Sequence, residues 1–120
     1  MFKYINLNPD QLEENDCVCR AIALASGCDY EDIEDKLYYV SKLLDCDELC
    51  PCCYRFLIEN VFEFQPEYCH GLTVGEFAQE HPYGVYLVRI PEHLTTIVDG
   101  EINDIWDSSE FFCDLAWRCF

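Results

Sequence analysis

The stretch NDCVCRAIALASG, residues 15–27, sets a cysteine in the opening turn of an almost wholly apolar segment. A thiol is a useful nucleophile only as its thiolate, and a helix N-terminus favours the thiolate through its unpaired N–H groups and positive dipole. Cys17 has that place. Cys19, two residues on, faces another way and reads as packing. Asp16 opposes thiolate formation unless its carboxylate turns away into the helix cap. A base and an acid to orient it stand far along the chain, in HLTTIVDGEINDIWD, residues 93–107, which His93 opens and which includes Asp104.

The pair Asp99-Gly100 is a strong signal for a two-residue type I′ hairpin turn. With that turn Val98 faces Glu101, Thr95 faces Asp104 and His93 faces Trp106. The strand period of two then projects all four of His93, Thr95, Asp104 and Trp106 from one face, with His93 and Asp104 diagonal neighbours within hydrogen-bond reach. A general base and its orienting carboxylate need this geometry. Asp107 falls on the other face. Taken singly, Cys17 is an ordinary buried thiol, His93 an ordinary edge histidine and Asp104 a solvated charge near a turn. Taken together they point to nucleophilic thiol chemistry.

The elements that must position these residues are legible in part. Residues 16–26 form a helix capped by Asp16 or Asn15 and stopped by Gly27, with Arg20 its only charge, so the helix is buried. Residues 30–44 place Ile33, Leu37, Val40 and Leu44 at helical spacing behind an acidic first turn. Residues 51–60 form a helix opened by Pro51, and TVGE at 73–76 has the form of a capping box for a short helix to about residue 80. GVYLVRI (84–90), HLTTIV (93–98) and EINDIW (101–106) read as strands. Helices first and antiparallel strands after them mean an α+β fold.

The chain has 120 residues, 51% hydrophobic and 15% aromatic, which suits a single domain spanning 1–120 with one real core. Seven Lys and Arg against 24 Asp and Glu give a net charge of −17, which repels nucleic-acid phosphates and anionic membranes. Neither nucleic acid nor a membrane is therefore an expected partner; the charge itself reads as a solvated surface, and the expected partner, a protein or peptide substrate, goes with the thiol chemistry. With no signal-peptide pattern and no long apolar run, the expected compartment is cytoplasmic and the ten cysteines are expected to be reduced.

NDCVCRAIALASG followed by LTVGEFAQEHPYGVYLVRIPEHLTTIVDGEINDIWDSS resembles the papain-like cysteine peptidase superfamily, and within it small proteins of bacteria and their phages. The resemblance covers the first helix and roughly residues 72–109. It implies a compact papain-like fold, with an N-terminal buried helix bearing the cysteine packed on a small C-terminal antiparallel sheet. It also implies Cys17 as nucleophile, His93 as general base and Asp104 as the group that fixes the imidazole. A glutamine six positions before the nucleophile helps form the oxyanion hole in that superfamily, which assigns Gln11 here, with Asn15 a competitor. No cofactor is implied.

A second constellation, Cys46, Cys50, Cys52 and Cys53 with Cys69 and His70, has ligand types that suit zinc. The spacing is poor for a closed site, so these are read as reduced thiols and no metal is expected. His81 is read as a surface residue without a named partner. The expected function is a cysteine-dependent hydrolase of peptide, isopeptide or related amide bonds. The alternative is a non-catalytic acidic interaction protein, phage-encoded, that binds a host protein.

Overall fold

Alternation of side chains along the strands puts an apolar layer on each face of a sheet, and the helices divide to cover both. The computed structural model describes residues 2–10 and 16–120. Its elements are β1 (Phe2–Tyr4), α1 (Cys17–Ser26), α2 (Tyr30–Leu44), α3 (Pro51–Phe56), β2 (Gln65–Glu67), α4 (Val74–Glu80), β3 (Val85–Ile90), β4 (His93–Val98), β5 (Glu101–Asp104) and β6 (Leu115–Arg118). The fold is α+β.

The strands form one six-stranded sheet in the order β1-β5-β4-β3-β6-β2. On one face Leu87, Leu94 and Trp117 pack with Val18, Ile22, Ile33, Leu37 and Leu57 from the first three helical segments. On the other, Val88, Ile90, Ile97 and Ile102 pack with Val74 and Phe77 of α4. None of the described helices is long and apolar enough to cross a membrane.

The expected small, C-terminal, antiparallel sheet is corrected in two respects. The sheet gains β6 and β2, and an N-terminal strand, β1, runs parallel to β5 with Phe2 opposite Ile102 and Tyr4 opposite Asp104. The added strands have three or four residues each, too few for a periodic signal. β2 contains Pro66, which a sheet tolerates at the edge where this strand lies.

The helix expected over 51–60 is α-helical only to Phe56 and continues as a π-turn over Leu57–Val61. Glu59 in that turn accepts a hydrogen bond from Trp117 Nε1 at 2.9 Å, which ties it to β6. α1 and α2 have the expected extents, and α1 ends on Gly27 at φ 77, a left-handed conformation that costs glycine little.

The capping box of α4 is formed in full. Thr73 Oγ1 accepts from Glu76 N at 3.1 Å, and Glu76 Oε1 accepts from Thr73 N at 2.9 Å. Thr73→Ala is expected to lower the unfolding free energy by about 1 kcal/mol, read from urea denaturation, because it leaves the Glu76 N–H without its cap. His81 is not the partnerless surface residue expected. Its Nδ1 hydrogen-bonds the Phe77 carbonyl at 2.8 Å and its ring stacks on Phe77 at 3.9 Å, so it closes the C-terminal end of α4.

Candidate active site

The β4–β5 hairpin has the register the Asp99-Gly100 turn dictates. Thr96 pairs with Asn103, Ile97 with Ile102 and Val98 with Glu101, while Asp99 and Gly100 take φ of 48 and 78. His93 and Asp104 therefore share a face, and His93 Nε2 lies 2.6 Å from Asp104 Oδ2. The other ring nitrogen, Nδ1, is left for Cys17.

Asp104 is held by several donors. Thr95 Oγ1 donates to the same Oδ2 at 2.7 Å, the Ile105 N–H donates to Oδ1 at 2.7 Å, and Arg20 Nη2 lies 3.9 Å from Oδ1. Such donors stabilise the ionised carboxylate and fix its plane. The Trp106 ring lies over His93, centroid to centroid 4.8 Å, and meets Phe111 edge-on at 5.4 Å. Asp107 takes no part: it is exposed, and its Oδ1 accepts from the Ser109 N–H at 3.0 Å.

α1 packs on the Leu94 and Thr96 face of β4, opposite the one from which His93 projects, and Cys17, the first residue of α1, meets the imidazole of the first residue of β4. Thr96 Oγ1 donates to the Ala21 carbonyl at 2.8 Å and fixes α1 against β4. Burial pushes the Cys17 thiol pKa up. The hydrogen bond from His93, the backbone N–H of Leu94 and the positive charge of His93 outweigh that and hold it below the ordinary value of 9.0. Burial alone would lower the His93 pKa, but hydrogen bonds to Asp104 and Cys17, with the charges of both, raise it to about 9. The two shifts run in the directions that favour a thiolate beside an imidazolium.

Asp16 does not oppose this thiolate as its place in the sequence suggests. Its side chain makes no cap hydrogen bond. It pairs instead with Arg20, one turn on, and accepts from Asn8 Nδ2 at 2.9 Å and Tyr30 Oη at 3.0 Å. Arg20 thus stands between two acids, Asp16 and Asp104. The signal for it was in the sequence: a single cation in a helix apolar all round needs buried anionic partners. Cys19 is buried, hydrogen-bonds the Tyr30 carbonyl at 3.3 Å, and has its pKa pushed up to about 12, chiefly by that burial.

Gln11 and Asn15, the two candidates for the oxyanion hole, lie outside the described residues. A cleft of about 610 Å³ opens on Cys17 and His93, with Val18, Leu49, Pro51 and Tyr54 in its wall. The cleft leaves no trace in the sequence, because its wall is assembled from separate segments of the chain.

Among the described residues, no group of three or more His, Cys, Asp or Glu is arranged to hold a metal ion. All ten cysteines are free thiols. Cys50 and Cys52 approach to 2.9 Å between sulfurs, and the hydrogen bond from Cys52 lowers the Cys50 pKa. Cys69 hydrogen-bonds Cys113. The chain matches no family model, no curated protein and no solved structure.

Proposed function

We propose that the protein is a papain-like cysteine hydrolase of peptide, isopeptide or related amide bonds, with Cys17, His93 and Asp104 as its catalytic residues. The observation that carries this reading is the 2.6 Å contact of His93 Nε2 with Asp104, made in a site where the same imidazole hydrogen-bonds Cys17. Asp104 holds the proton on Nε2, which leaves Nδ1 to exchange a proton with the thiol.

In this mechanism the Cys17 thiolate attacks the carbonyl carbon. The C–N bond breaks as the imidazolium delivers its proton to the leaving amine, and a thioester remains on Cys17. His93 then takes a proton from water as the oxygen attacks the thioester, the C–S bond breaks, and the acid leaves with the sulfur a thiolate again and the imidazole protonated, the pair with which the cycle began. The backbone N–H of Cys17 at the start of α1 is one donor for the developing oxyanion. The ten free thiols favour a reducing, cytoplasmic setting.

Site-resolved mass spectrometry after brief iodoacetamide treatment of the native protein near neutral pH tests the reading. Cys17 is expected to be alkylated faster than the other nine cysteines, with Cys50, whose pKa is also lowered, its nearest rival. A slow Cys17 beside a fast Cys50 or Cys52 contradicts it. The net charge of −17 suggests a second reading, a non-catalytic acidic interaction protein that binds a basic protein. That reading tolerates loss of Cys17.

A further inference from the structure

Among the described residues lining the cleft, Arg89 is the one side chain of fixed positive charge, and it is already matched. Its Nε lies 3.8 Å from Asp114 Oδ2, and it hydrogen-bonds the Tyr54 hydroxyl. Glu92, exposed in the two-residue turn between the paired Ile90 and His93, adds a carboxylate to the rim beside the imidazole. Asp114 is exposed on the other side of Arg89.

The remaining wall is apolar. Val18 is buried, Leu49 and Pro51 are exposed at the entrance, and Tyr54 presents its ring from a buried position. The cleft thus offers apolar surface to a side chain and an excess of carboxylate to whatever flanks it, and it does so within a chain of net charge −17. A cleft bordered by one sign of charge concentrates ligands of the opposite sign and repels those of its own.

We propose that the substrates are segments of basic proteins, in which an apolar side chain entering the cleft is flanked by lysine or arginine. This rests on the thiol hydrolase reading above. The basic flanks meet Glu92 and the field of the chain, while acidic flanks meet the Glu92 carboxylate, which has no ion-pair partner among the described residues, and an Arg89 that already faces Asp114. The competing arrangement is one in which Arg89 leaves Asp114 to anchor a substrate carboxylate.

Three peptidyl vinyl sulfones that differ only in the residues flanking a central leucine, Lys-Leu-Lys, Gln-Leu-Gln and Glu-Leu-Glu, separate these cases. Each is attacked by the thiolate at the vinyl carbon, with the imidazolium proton passing to the adjacent carbon, so labelling of Cys17 reads entry into the cleft. The lysine probe is expected to label Cys17 at least about tenfold faster than the glutamate probe at low salt, with the glutamine probe between them and the gap closing in high salt. Glu92→Gln is expected to narrow the gap at low salt. Equal rates, or a faster glutamate probe, would overturn the proposal. Iodoacetamide, which is small and uncharged, keeps the two questions apart: fast alkylation of Cys17 with no preference for the lysine probe overturns the substrate class alone. A Cys17 unreactive to every reagent overturns the thiol reading and this proposal with it.

Discussion

Asp104→Asn is expected to lower any Cys17-dependent activity by roughly 10⁴-fold, while Asp107→Asn leaves it near the wild-type level. Asp104 accepts from His93 Nε2 at 2.6 Å, and as a carboxylate it can only accept. An asparagine of the same shape can present its NH₂ group instead. The imidazole would then turn its acceptor nitrogen toward residue 104 and carry its proton on Nδ1, where it cannot receive the Cys17 proton. The same change removes a negative charge that helps raise the His93 pKa to about 9. Asp107→Asn keeps the side-chain oxygen that accepts from the Ser109 N–H, and it lies outside the hairpin. Urea denaturation of both variants separates lost chemistry from lost fold. An inactive, folded Asp107→Asn beside an active Asp104→Asn contradicts the assignment.

That the third residue of the site can be told from a neighbouring acid reflects how local its determinants are. The Asp99-Gly100 turn needs two consecutive residues of positive φ, a requirement visible in residue types alone, and it fixes which residues oppose one another. Gly27 marks the end of α1 for the same kind of reason, and Thr73 with Glu76 marks the start of α4. Elements held by tertiary pairing leave no such trace. β1 is an exposed edge strand of three residues that exists because β5 offers it a partner, and β6 is recognisable only once β3 is in place beside it.

The site divides along the same line. His93, Thr95 and Asp104 belong to one hairpin and follow from its register, although the hydrogen bond from Thr95 to Asp104 had no role assigned to it from sequence. Cys17 was found through its place at a helix start, but its contact with His93 depends on how α1 packs on β4, which is settled by Leu94, Thr96 and the apolar face of the helix. Arg20 was visible as an isolated charge, and only the fold supplies Asp16 and Asp104 as its partners. The cleft wall joins residues 18, 49–54 and 89–92, and no pattern in the chain links these stretches.

The state of the Cys17–His93 pair decides the account most directly. A lowered thiol pKa and a raised imidazole pKa mean that the thiolate–imidazolium form is populated from the depressed Cys17 value up to about pH 9, where His93 loses its proton. Replacing His93 by glutamine removes the charge and the hydrogen bond that outweigh burial, so the thiol of that variant should titrate at or above the ordinary value of 9.0. The measurement is the ultraviolet absorbance of the thiolate followed against pH, with the Cys17→Ser protein subtracted to isolate one sulfur. The account predicts that the Cys17 thiolate appears below pH 9 in the wild type and that His93→Gln moves the transition upward. A wild-type Cys17 that titrates at or above 9, or a transition that His93→Gln leaves in place, would contradict it.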